Sequence, residues 1–317
     1  MSFTRTVAVS LMAVFLLISG NGASYAAYPD RPITLIIPFG AGGGTDIPAR
    51  MLAGFMEKKL GQPIVAQNVV GGVGTQGVAQ LLATAPDGYT LGYIPVGVLA
   101  TQPHLVKVPY DRDAFDFIGL AANQSQVLLT PNEAPWNTLE ELVAEIKKNP
   151  DKYKAGVTGI GNLTHLPLVA FTEHYGLKVQ LIPFRSSPDI MKEILASRVH
   201  LYFCEPLLAK QFNVKPYCQT SHEALSGFDV PAFKDLGIKQ SFSVWQGVVA
   251  PKGLPKDVHA KLTAAMREVV TDSTFQAELK RIDMAPEWRE PEAFKALYNK
   301  DYDAYGEMLR TSGISKP

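Results

Sequence analysis

The residues best placed for chemistry form a glycine-rich loop, Gly40-Ala41-Gly42-Gly43-Gly44-Thr45-Asp46. It follows the apolar, β-branched run Ile33 to Pro38 and precedes helix-like apolar spacing from Ile47 to Leu60. A loop that joins a strand to a helix start presents unpaired backbone N–H groups, and the helix dipole adds attraction for an anion. Glycines let that backbone approach a ligand closely. The loop has no lysine and so is not a P-loop; a carboxylate suits it better than a triphosphate. Phe39, Gly40, Ala41, Gly42, Gly43, Thr45 and Asp46 are therefore candidate ligand contacts. Asp46 is also placed to cap the following helix, whose Pro48 suits a first-turn position. A tight turn with no ligand would show the same residues.

A comparable turn, Gly156 to His165, gathers hydroxyl, amide and imidazole groups near a second helix start. Thr158, Gly159, Asn162 and His165 are its candidate contacts, although a lone histidine is more often a cap or packing residue. Arg185 follows the strand-like Leu181-Ile182-Pro183-Phe184, where its planar fork could grip a carboxylate at two points, or simply lie on the surface. Gly72-Val73-Gly74-Thr75-Gln76-Gly77 matches the dinucleotide fingerprint literally. The next strand, Leu91 to Val98, lacks the acid that would hold a ribose, so no nucleotide cofactor is expected. The six histidines show no metal-ligand spacing, and there is no G-x-S-x-G elbow or C-x-x-C pair. Neither a metal, a cofactor nor a catalytic residue is assigned.

The elements that must position these loops alternate between strand and helix. Ile64 to Val70 is followed by the turn Gly71 to Gly77 and a helical stretch to Thr84, and Pro86-Asp87-Gly88 turns into the strand Thr90 to Ile94. Such alternation predicts an α/β fold with a parallel sheet covered by helices on both faces. A second series starts after Gln126 to Leu129, with a helix near Leu139 to Lys148 and short strands near Ala155, Val179, Leu201 and Val214. Ser243 to Ala250 reads as a further strand, and the chain from Lys256 onward reads as mostly helical.

Arg5 ahead of the apolar run Val7 to Ile18, with Ser24-Tyr25-Ala26 at the cleavage positions, reads as a secretory signal over residues 1–26. That run is too short to span a bilayer, so a soluble mature chain starting at Ala27 is expected. Its charge is nearly balanced, 29 basic against 30 acidic residues once Arg5 is removed. A near-neutral chain without basic runs gives no footprint for nucleic acid or an anionic membrane surface. Cys204 and Cys218 both fall in the exported part, where a disulfide between them is slightly favoured over two buried thiols.

Four segments together carry a family likeness: Tyr28-Pro29-Asp30-Arg31-Pro32-Ile33, Ile37-Pro38-Phe39-Gly40-Ala41-Gly42-Gly43, Pro86-Asp87-Gly88-Tyr89-Thr90-Leu91 and Pro103-His104-Leu105. The stretch Gly247 to Pro255 adds to them. The chain resembles the Bug, or TctC, family of periplasmic solute receptors that serve tripartite tricarboxylate transporters. The resemblance implies a two-lobed periplasmic-binding-protein architecture with crossover strands and a clamshell cleft. Crossings near Gln126 and Trp245 would give one lobe of residues 27–125 plus 246–317 and a second of 126–245.

It further implies that the loop Phe39 to Asp46 holds one ligand carboxylate through backbone amides, while Thr158 to His165 helps to hold the other end. Two departures fall on the second lobe. Cys204-Glu205-Pro206 stands where many members have Phe-Asp, which makes Glu205 a candidate contact, and Arg185-Ser186 replaces the usual Lys-Gly. The expected function is reversible, non-enzymatic capture of a small carboxylate, aliphatic, aromatic or an amino acid. The expected setting is a periplasmic monomer that delivers its cargo to the membrane subunits of a tripartite tricarboxylate-type transporter. A receptor for a membrane signalling partner and a periplasmic hydrolase are the alternatives.

Overall fold

The computed structural model describes residues 28–212, 214–220, 228–240 and 242–314; the expected signal over residues 1–26 lies outside them. All described strands and helices lie in the unit that starts at Arg31. Among the described residues, no helix is long and apolar enough to cross a membrane.

The first strand, β1 (Ile33–Ile37), pairs in parallel with β2 (Ile64–Asn68) and with β3 (Thr90–Pro95). Helices α1 (Asp46–Leu60) and α2 (Thr75–Leu82) make the connections. This is the alternation read in the sequence. Parallel neighbours need such crossovers because their ends lie at opposite sides of the sheet. A short helix, α3 (Gln102–Leu105), leads to β4 (Phe115–Asn123).

Beyond β4 the chain leaves this sheet. Strand β5 (Val127–Thr130) lies between β8 (Tyr202–Cys204) and β9 (Lys215–Gln219), antiparallel to both. Strands β6 (Lys154–Val157) and β7 (Gln180–Pro183) form a parallel pair. That pair joins the three-stranded sheet through the bridge of Ala155 to Leu201 and the Gly156 N–H donated to the Leu201 carbonyl at 2.9 Å. Helices α4 (Leu139–Lys148), α5 (Leu166–Tyr175), α6 (Ser187–Leu195) and α7 (Pro206–Gln211) connect these strands.

The chain returns through Trp245 into β10 (Gln246–Pro251), then runs through α8 (Lys256–Val270), α9 (Ser273–Arg281), β11 (Ala285–Arg289) and α10 (Pro291–Thr311). The order of the large sheet is β11-β4-β10-β3-β1-β2. Strand β10 is antiparallel to both β3 and β4, and β11 is antiparallel to β4, so the sheet is mixed where the sequence predicted it parallel. The reason is connectivity. β10 arrives from the other sheet and not through a helical crossover from a neighbour, so nothing holds it to its neighbours' direction.

The large sheet is buried on both faces at its centre: every residue of β10 is buried, as are all but the first of β3. Aromatic rings from α10 fix the returning chain. Phe294 meets Phe117 and Trp245 edge-on at 5.0 and 5.2 Å, and the Trp245 indole N–H donates to Asp301 at 2.6 Å. Edge-on contacts of this kind each add about 1 kcal/mol beyond burial.

The expected disulfide is absent: Cys204 and Cys218 are free, buried thiols. Cys204 pairs with Val127 and Cys218 with Leu128, on opposite sides of β5. Two strand spacings, roughly 9–10 Å, therefore separate them, and successive residues of β5 face opposite ways, so the two thiols lie on different faces of the sheet. A disulfide needs Cα atoms within about 7 Å and side chains that converge. Burial raises the pKa of both thiols.

Candidate functional site

The glycine loop after β1 is shaped by side chains that do not touch its concave face. Asp46 opens α1 and is buried; it accepts the Gly42 N–H at 2.9 Å and the Arg50 Nε–H at 2.9 Å. Asn68, at the end of β2, donates to Asp46 at 2.7 Å and to the Phe39 carbonyl at 2.8 Å, while Arg50 donates to the Asn68 oxygen at 2.6 Å. Burial alone would raise the Asp46 pKa. The Arg50, Gly42 and Asn68 donors, with the Arg50 charge, outweigh it and hold the carboxyl below its usual range. Asp46 is thus an internal brace of the loop, not a ligand contact. It is not the helix cap either, because Thr45 holds that position without a side-chain cap bond.

With Asp46 consuming only the Gly42 N–H, the backbone N–H groups of Gly40, Ala41, Gly43, Gly44 and Thr45 find no acceptor among the described residues. They stand at the N-terminus of a 15-residue helix, where the dipole is positive. All five residues, with Phe39, line one cavity of about 100 Å³, room for a small molecule and not merely a single water.

The second loop forms the facing wall. Thr158, Asn162 and Thr164 line the cavity and hydrogen-bond one another: the Asn162 amide donates to the Thr158 hydroxyl and the Thr164 hydroxyl donates to Asn162, both at 2.7 Å. His165 is turned away. It is buried and accepts the Gly161 N–H on Nδ1 at 2.8 Å, and burial lowers its pKa to about 4. It is a neutral brace of the turn and does not line the cavity. Gly159 is likewise structural, since a Cβ there would come within 2.7 Å of the Val73 side chain. Gly42 lies behind the loop, in a smaller recess.

Arg185 reaches the cavity from the turn before α6 and is the one basic side chain among the described residues that line it; Glu205, just before α7, is the one acid among them. Ser186 caps α6 by accepting the Asp189 N–H at 3.3 Å, which leaves the adjacent Arg185 at the mouth, exposed and without an ion-pair partner among the described residues. The Glu205 carboxylate lies against Gly44 and accepts the Ser187 hydroxyl at 3.2 Å, while Ser187 accepts from Tyr202 at 2.8 Å. Glu205 keeps some surface on the cavity, yet its Oε2 is shut off from bulk water. Burial raises its pKa, opposed in part by its hydrogen bonds.

Several lining residues carry no signal in the sequence. Gln124 and Gln126 flank the passage from β4 to β5, and Val244 and Gln246 flank the return. Gln246 is 1% exposed, and its amide donates to the Gly44 carbonyl at 2.9 Å. Val73, from the stretch that mimics a dinucleotide fingerprint, lines the cavity at a φ of 54°, a conformation a β-branched residue seldom adopts. A buried glutamine at each crossing is the one clue that could have been weighed. Among the described residues no cluster of three His, Cys, Asp or Glu side chains could hold a metal ion.

Comparison with known proteins bears on the family and the fold. A protein of Cupriavidus necator from the gbd 5′ region is 30% identical, an alignment that spans 91% of this chain and 90% of the relative. The solved periplasmic binding protein BugD is 31% identical with a TM-score of 0.85, over 92% of this chain and all of BugD. An R. palustris protein solved with adipate has a TM-score of 0.86 over 91% of this chain and 99% of its own; at 23% identity it shows the shared fold alone. Residues 48–313 match the model of the tripartite tricarboxylate transporter family receptors. The chain therefore belongs to the TctC family, the solute-binding receptors to which the Bug proteins also belong, and is not an enzyme.

Proposed function

We propose that this protein reversibly captures a small carboxylate in the cavity between the glycine loop and the second loop. The observation that carries this reading is the set of loop N–H groups from Gly40 to Thr45. They line a cavity at a helix N-terminus, with Arg185 at its mouth and no acceptor for them among the described residues. A carboxylate supplies the acceptors these donors need, and the helix dipole favours its charge. The R. palustris protein of the same fold was solved with the small dicarboxylate adipate, which fits this class of ligand.

The sheet memberships support two lobes, 27–125 plus 246–317 and 126–245, that close on the ligand through the crossings near Gln126 and Trp245. Binding shifts an open and closed equilibrium toward the closed form, which membrane subunits of a tripartite tricarboxylate-type transporter then recognise. The signal-like residues 1–26 and the family support a periplasmic setting for this receptor, which we read as a monomer.

Mass spectrometry of small molecules copurifying with the mature chain, followed by calorimetry on a panel of mono-, di- and tricarboxylates, tests this. One carboxylate bound and recovered chemically intact is the expected result. No binding across the panel sinks the proposal.

A further inference from the structure

Behind the glycine loop the two proposed lobes meet a second time. Leu207 and Gln211 of α7, from one lobe, line a recess together with Ile47, Pro48, Ile282 and Met284 from the other. On the same helix Lys210 donates to Asp283 at 2.6 Å, joining residues 126–245 to residues 246–317 by an ion pair. The hydrogen bonds at the crossings, Gln124 with Val244 and Ser243 with Asn123, join neighbouring strands and need not break when the lobes part. The Lys210–Asp283 pair must break.

Each partner is held by its own lobe. The Lys210 ammonium lies 5.1 Å from the centre of the Phe228 ring, and Phe228 packs in one apolar cluster with Leu208 and Ala209. Asp283 sits in the turn after α9 at a φ of 56°, a left-handed conformation that Asp and Asn adopt more readily than most residues. The Met284 N–H closes that turn on the Leu279 carbonyl at 3.0 Å, and the Asp283 side chain is 12% exposed. Exposed ion pairs are weak largely because two long side chains must be ordered to make them. Here both groups are positioned before they meet.

Resting on the proposed closure of two lobes over a ligand, we infer that Lys210 and Asp283 form a latch that joins when the lobes close, parts when they open, and sets how firmly the closed form is held. Helix α7 ties the latch to the cavity. Glu205, the residue that precedes this helix, lines the ligand space against Gly44, and Lys210 lies about 7–8 Å further along the same rigid element.

Pulsed EPR distances between spin labels on Glu57→Cys and Ala196→Cys, exposed sites on opposite lobes, read the ratio of open to closed chain; the two native thiols are buried. In the ligand-free mature chain, Lys210→Met and Asp283→Asn are each expected to raise that ratio about two- to fivefold, the scale of one ion pair at a surface. The double variant should go no further than either single one. Raising sodium chloride from about 20 mM to about 1 M should raise the ratio similarly in the wild type and little in the variants, because salt screens the pair. Calorimetry with succinate, glutarate and adipate is expected to show the variants binding about two- to fivefold more weakly, since apparent affinity follows the population of the competent form. A ratio that neither charge removal nor salt moves, or losses that add in the double variant, overturns the latch. Failure of every acid to bind overturns the proposed carboxylate capture instead, and the ligand-free distances still decide the latch. The wild-type salt series does so even if a variant does not fold.

Discussion

His165 offers a quantitative check on how the second loop is built. The ring accepts the Gly161 N–H on Nδ1 in a buried setting, and burial moves its pKa from an ordinary 6.5 to about 4. Between those values the unfolded chain binds a proton that the native protein refuses. Stability therefore rises with pH across this window and falls on acidification through it. At about 1.4 kcal/mol per tenfold change, the contribution lost between about pH 7 and about pH 4.5 is roughly 2–3 kcal/mol. The perturbation is His165→Gln, whose side-chain oxygen can still accept from Gly161 but does not titrate. Urea unfolding of both proteins across this range is expected to show the wild type losing about 2–3 kcal/mol more than the variant. Because His165 does not line the cavity, ligand affinity at neutral pH should stay within about threefold. Parallel stability curves would refute the buried, neutral brace, and a large loss of affinity would return His165 to the ligand.

Two further perturbations bear on the first loop. A Cβ at Gly44 would lie 2.7 Å from both Cγ and Oε1 of Glu205, so Gly44→Ala overpacks this wall of the cavity at a cost of about 1–3 kcal/mol. Calorimetry should show roughly a five- to hundredfold loss of carboxylate affinity, and unchanged affinity would mean that the loop and Glu205 do not meet in the bound state. Asp46→Asn weakens charge-assisted bonds from Arg50 and the Gly42 N–H and is expected to cost about 1–3 kcal/mol at neutral pH. The Asp46 carboxyl is held below its usual range, so its contribution is present above about pH 4 and lost as the pH falls through the lower native value. Chemical denaturation should show wild type and variant converging in acid; a constant gap would argue that Asp46 acts through shape alone.

How much was legible in the sequence depended on how local each feature is. The runs Ile33 to Pro38 and Thr90 to Ile94 and the glycine loop between strand and helix could be read directly, because strand period, turn chemistry and helix spacing act within a few residues of one another. Strand β11 was missed within a stretch read as helical. Ala285-Pro286-Glu287-Trp288-Arg289 contains a proline that suits only an edge strand, and it becomes a strand by pairing with β4. The antiparallel course of β10 was equally hidden, since the periodicity of a strand does not state its direction.

The sequence by itself determined that a loop of this composition follows β1 and starts a helix, because glycine, threonine and aspartate act on their own backbone. It also determined the alternation that builds most of the large sheet. Only the tertiary structure decided which atoms of that loop are free. Asn68, 22 residues from Asp46, and Arg50 turn Asp46 into a brace, and that leaves the remaining N–H groups to the cavity. Only the structure set the two cysteines on opposite faces of one sheet, and only it brought Glu205 and Gln246 to the same loop at Gly44. Those residues lie far apart along the chain, and their meeting depends on how the sheets pack, which no local pattern encodes.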